Sequence, residues 1–125
     1  MKSLFIACGL TLALVGGLAN PSLAAEAKQD FTLVNKTGYE IEEVFVSPGK
    51  SGDWEEDVLG KGTLDDGESV NIRFKRASKT CIWDLKVVYS VDSSNAIWYD
   101  IDLCSVRKIT IRYDKKRDKT TAVFD

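Results

Sequence analysis

The chain has 125 residues, with 17 lysines and arginines against 19 aspartates and glutamates, and no histidine. That slightly acidic balance argues against a dedicated nucleic-acid binder, which is basic overall. The missing imidazole removes Ser-His-Asp and Cys-His catalysis and every zinc site built on histidine.

Residues 1–24 read as an export signal. Lys2 supplies the positive start, residues 4–18 form an apolar core, Asn20-Pro21 ends it, and Ser22-Leu23-Ala24 offers small side chains at the cleavage positions. The run is shorter than the ~20 residues that span a bilayer, so cleavage is expected rather than anchoring. Cys8 follows Ile6-Ala7 as a lipid-attachment cysteine would, but most of the apolar core lies after it, and it is read as a discarded signal residue. No later segment is apolar enough to span a membrane. Residues 25–125 are therefore expected to form a single domain, soluble and either periplasmic or secreted, in an oxidising compartment.

Within it, period-two alternation dominates, broken by turn residues at short intervals. Strands are predicted at 31–35, 39–47 and 69–75, then 81–89, 96–103, 108–113 and 120–124. In the second, Tyr39, Ile41, Glu43 and Phe45 are expected on one face, with Glu40, Glu42, Val44 and Val46 on the other. Between the second and third strands, residues 53–59 are expected to form one helical turn: Asp53 can cap it, Glu56 completes a capping box, Gly60 suits the left-handed end, and Trp54 and Val58 share a face. Asp65-Asp66-Gly67 is a turn. The strongest strand places Trp83, Leu85, Val87 and Tyr89 inward. The next places Ile97, Tyr99, Ile101 and Leu103 inward. The expected fold is all-β: an antiparallel β-sandwich or small barrel of about seven strands with one short helical turn.

Cys81 and Cys104 remain after processing and are expected to form a disulfide across the hairpin that connects these two strands. A conflict of register accompanies this. The apolar faces pair odd residues with odd ones, whereas a symmetric disulfide pairs odd with even, and a one-residue slip turns every side chain over. A bulge, or a strand ending before Cys104, would reconcile the two.

Charge is unevenly spread: ten acidic and two basic residues lie within 40–68, and twelve basic and seven acidic within 69–125. The acidic run Asp53-Trp54-Glu55-Glu56-Asp57 has Val58 and Leu64 where an EF-hand needs glycine and glutamate, so no calcium loop of that type is read. Asp100 with Asp102, and Asp65 with Asp66, are carboxylate pairs without a recognisable cleft, and a small carboxylate-dependent hydrolase ranks third among the readings. Lys115, Lys116 and Arg117, with Arg73, Lys75, Arg76 and Lys79, offer a basic surface for lipid headgroups, anionic carbohydrate or an acidic protein. If odd residues face the core, Ile82, Val88 and Trp98 emerge on the opposite face among Asp84, Lys86 and Asp100. They then form a candidate interface centre, unless another segment covers it.

The run Phe31-Thr32-Leu33-Val34-Asn35-Lys36-Thr37-Gly38, then Trp54 with Asp57-Val58-Leu59-Gly60, Gly67-Glu68-Ser69, 81–89 and Asp102-Leu103-Cys104 resembles a family of small exported bacterial all-β proteins without an established activity. Some relatives carry an argininosuccinate lyase label, but that enzyme is large and helical with a Ser-rich catalytic loop, and this chain has none of those features. The resemblance implies fold and export and supplies no catalytic residue. The expectation is a non-enzymatic binding module without cofactor or metal. Its first-ranked partner is an envelope or extracellular protein, and anionic carbohydrate or lipid headgroups come second.

Overall fold

Seven strands form two sheets in the computed structural model, which describes residues 27–49, 51, 53–74 and 79–125. The expected leader, residues 1–24 with Cys8, lies outside the described residues, as do Lys75 and Arg76. The strands are β1 Phe31–Lys36, β2 Ile41–Pro48, β3 Ser69–Ile72, β4 Ile82–Tyr89, β5 Asn95–Asp102, β6 Lys108–Asp114 and β7 Lys119–Phe124. One sheet runs in the order β3-β1-β6-β7 and the other β2-β4-β5. The sheets are not closed on each other, so the sandwich form of the expectation holds rather than the barrel.

All pairings are antiparallel except β1 with β6, which run parallel. Alternation drives the packing. Phe31 and Leu33 from β1, Ile109 and Ile111 from β6, and Leu85 and Val87 from β4 are all buried between the sheets. Asn35 continues the inward face of β1 and is fully buried, a polar group at a core position.

Two strands change phase part-way. In β2, Ile41 is level with Tyr89 and Glu43 with Val88, so one extra residue enters and both Ile41 and Val44 turn inward. In β5, Trp83 is level with Ile101 but Leu85 with Trp98. The extra residue is accommodated at Asp100, which takes φ 57°, a left-handed conformation that a short polar side chain tolerates. The Asp100 amide donates to Asp84 Oδ1 at 2.9 Å, which holds the bulge.

This bulge corrects the expected inward face of β5. Ile101 is buried, but Ala96 and Trp98, rather than Ile97 and Tyr99, pack on the core, and Tyr99 is left 65% exposed. The register conflict is settled twice over, since β5 also ends at Asp102 and Cys104 sits in the 3-10 turn Leu103–Ser105. Cys81 and Cys104 are disulfide-bonded, with Cα atoms 5.2 Å apart.

The helical turn expected at 53–59 does not form. The segment runs beside the outer edge of β2 instead: Glu55 N donates to Val46 O and Val58 N to Val44 O. Asp57, not Asp53, is the capping carboxylate, with Oδ1 accepting from Val44 N and Leu59 N at 2.9 and 3.0 Å. Gly60 does adopt the left-handed conformation, φ 61°.

Candidate functional site

Because β1 and β6 run parallel while β4 pairs antiparallel with β2, four connections meet at one end of the sandwich. They are the β1–β2 link, the loop before β3, the β4–β5 hairpin and the β6–β7 hairpin. The disulfide closes the opposite end.

Asn35 organises the loop end. Its Nδ2 donates to Tyr39 O and Leu64 O at 2.8 and 2.9 Å, and its Oδ1 accepts from Thr37 N at 3.0 Å with Thr37 Oγ1 2.7 Å away. Both donors and both acceptor positions of the amide are thereby used. Gly38, at φ 87°, turns its amide onto Asp66 Oδ1 at 2.9 Å. These bonds fix Tyr39 at the mouth of the sandwich.

Tyr89 from the end of β4 and Tyr113 from the end of β6 meet it there. The three rings stand edge to face, Tyr39–Tyr113 at 5.6 Å, Tyr39–Tyr89 at 6.2 Å and Tyr89–Tyr113 at 6.3 Å, with interplanar angles of 81°, 79° and 69°. This is a favoured aromatic geometry. Together with Val91, Asp92, Ser94 and Asp118 they line an open hollow of about 250 Å³.

Two of the three phenols have hydrogen-bond partners. The Tyr89 hydroxyl lies 2.7 Å from Thr120 Oγ1, and burial pushes its pKa up. Tyr113 donates to Asp118 Oδ1, and that bond to a carboxylate raises its pKa to about 12. Asp92 accepts from Ser94 N and Ser94 Oγ at 3.0 and 2.6 Å, which lowers its pKa. The hollow therefore offers apolar ring faces rimmed by phenol oxygens and the carboxylates of Asp92 and Asp118.

A pH prediction follows from Tyr113. Its raised value means that the Tyr113–Asp118 bond supports the fold fully below pH 10.0, the ordinary phenol value, and is lost as pH rises through about 12. Replacing Asp118 with Asn should bring Tyr113 ionisation down toward its ordinary value, followed by tyrosinate absorbance. Unchanged titration in the variant would show that the bond is not formed.

The residues expected to form a binding surface are divided. Ile82 is 40% exposed near the disulfide end, Val88 is 7% exposed, and Trp98 packs against the core. They share no exposed face, because the β5 bulge turns Trp98 inward and Val88 is covered. Trp54, from the segment beside β2, reaches that outer face, where the Lys86 ammonium lies 5.3 Å from the Phe45 ring centroid and 5.6 Å from that of Trp54. Trp98 instead borders a cleft of about 350 Å³ between the edges of β5 and β7, with Ile101, Val106 and Phe124. Lys115, Lys116 and Arg117 are exposed at the tip of the β6–β7 hairpin, the same hairpin that supplies Tyr113 and Asp118.

Among the acidic pairs, Asp65 finds Glu40 rather than Asp66. Their mutual hydrogen bond raises Asp65, while Ser90, then Asp65 and Thr63, lower Glu40. Both are exposed on the surface. Cys81, Asp102 and Cys104 cluster closely enough for a metal, but the two sulfurs are bonded to each other and offer no thiolate. No helix among the described residues is long and apolar enough to cross a membrane.

No protein-family model matches the chain, and no curated protein matches it. Among solved structures, it is similar to the NMR structure of a protein from Eubacterium rectale. That likeness has 13% identity and a TM-score of 0.55, covering 76% of this chain and 85% of that one. It is a likeness of fold. The tyrosine cluster was not foreseen from the sequence: each tyrosine reads there as one more residue of an alternating strand.

Proposed function

We propose that this chain is an exported, non-enzymatic binding module that holds a protein partner in the cell envelope through its loop end. The observation that carries this reading is the convergence of Tyr39, Tyr89 and Tyr113 from three separate connections on one open hollow. Tyrosines held by a rigid sheet give a large amphipathic contact area at small entropic cost, and serine and aspartate beside them supply adaptable hydrogen bonds. The exposed Val91 at the hairpin tip adds an apolar contact. Loops set on a stiff scaffold are a common place for recognition. Export is supported by the leader-like first 24 residues and by the disulfide. The same leader, strand pattern and cysteine pair support membership of a family of small exported bacterial proteins.

A second reading has its own observation. Lys115, Lys116 and Arg117 are exposed beside the hollow and would suit anionic carbohydrate or lipid headgroups.

Affinity capture from the envelope fraction separates the two. For a protein partner, Tyr113→Ala or Val91→Asp should weaken binding roughly tenfold or more while the melting transition is kept. Replacing the three basic residues by Gln should matter little. Binding that survives both loop-end variants, or that vanishes with salt and with the basic residues, overturns the first reading.

A further inference from the structure

The edge strands of the two sheets are protected to different degrees. The outer edge of β2 is covered by Glu55 and Val58, β5 is bulged at Asp100, and β3 has four residues. Covering, bulging and shortness are the usual devices that keep an edge from pairing. The fourth edge, β7, has six residues, no register break and no proline, and it carries Val123 and Phe124 at 49% and 41% exposure.

Among the described residues, the β7 backbone groups that β6 leaves unbonded follow from the register. Lys108 and Asp125 exchange both backbone bonds across β6 and β7. In an antiparallel ladder such pairs alternate with non-bonded ones. With Ile109 level with Phe124 and Thr110 with Val123, the residues bonded to β6 are Lys119, Thr121 and Val123. Thr120, Ala122 and Phe124 therefore point N–H and C=O away from the sheet.

We propose that two copies of this chain pair antiparallel along β7, joining two four-stranded sheets into one. The register that engages all three outward residues is centred on Ala122. It sets Ala122 opposite its own copy and Thr120 opposite Phe124, for roughly six new backbone bonds.

Charge complementarity selects a second copy as the occupant. In this register Lys119 falls opposite Asp125 of the other chain at both ends of the pairing, and Thr121 falls opposite Val123. Opposite charges and β-branched pairs in these cross-strand positions are stabilising. The surface is self-complementary, as a two-fold interface requires. The exposed Phe124, which borders the cleft with Trp98, comes beside Thr120 of the second copy.

The test uses the protein as recovered from an exporting bacterial host. Sedimentation equilibrium should show a monomer–dimer equilibrium. Amide exchange at Thr120, Ala122 and Phe124 should slow as concentration rises, while Thr121 and Val123 stay protected throughout by β6. Ala122→Pro removes only an outward N–H, as an edge strand tolerates, and should give a folded monomer. Lys119→Glu should weaken the dimer roughly tenfold, and the double exchange Lys119→Glu with Asp125→Lys should restore it. A monomer at every concentration overturns the proposal. So does a dimer whose Thr120, Ala122 and Phe124 amides exchange freely, or one that neither Ala122→Pro nor Lys119→Glu weakens.

Discussion

Replacing both Cys81 and Cys104 with Ala is expected to lower stability by about 3 kcal/mol in the chain-entropy model. The bridge spans a sequence separation of 23 and ties the base of the β4–β5 hairpin. Without it the unfolded chain regains the freedom of that loop, while the folded ladder is unchanged. For a domain of this size the loss corresponds to a melting temperature roughly 15 °C lower, a large part of a small protein's margin. Thermal and urea unfolding of the double variant check this, and a loss below about 1 kcal/mol contradicts it. Because the disulfide lies at the end remote from Tyr39, Tyr89 and Tyr113, the variant should retain the loop-end surface at temperatures where it is folded.

Asn35→Ala is expected to damage both stability and the site. The substitution leaves Tyr39 O, Leu64 O and Thr37 N without their Asn35 partners inside the protein. Tyr39 O keeps Thr37 Oγ1 and Leu64 O keeps Ile41 N as a partner, so only Thr37 N is left unpaired, at about 1–3 kcal/mol. With the two lost bonds to the carbonyls, a total of about 3 kcal/mol is expected. Asn35→Asp should fare no better, since an ionised carboxylate cannot donate to the two carbonyls. The distinguishing readout is local: amide exchange at Thr37, whose N–H Asn35 Oδ1 accepts, should accelerate beyond the change in global stability. A variant with wild-type stability and unchanged exchange would show that Asn35 is a passive core residue.

Much of the fold was legible because the signals were local. Alternation located all seven strands, and the turn at Asp65-Asp66-Gly67 forms with Gly67 at φ 88°. What the alternation hid were the two phase changes. Each has a trace in the sequence: Ile41 and Val44, like Trp98 and Ile101, are apolar pairs three residues apart inside a strand, a spacing that a flat strand cannot bury on one face. The acidic residues between them, Glu42-Glu43 and Asp100, mark where the extra residue is expelled.

The segment 53–59 misled for another reason. It carries genuine capping residues, but a single turn gains too little to nucleate by itself, and the unpaired carbonyls of Val44 and Val46 offered its amides better partners. The tyrosine cluster depends on the parallel pairing of β1 with β6 across most of the chain, a long-range choice that no local pattern encodes. The disulfide was legible because Cys81 and Cys104, the two cysteines beyond the expected leader, have each other as partners. Trp98 was misplaced by the β5 bulge alone.

The most direct measurement of the loop-end reading is site-specific photo-crosslinking in the living cell, with the reactive residue at Val91 or at Ile82. Val91 is 71% exposed beside the tyrosines, and Ile82 is 40% exposed near the disulfide. A discrete adduct to an envelope protein is expected from position 91, abolished by Tyr113→Ala, and none from position 82. An adduct from position 82 with none from position 91 would contradict the loop-end reading.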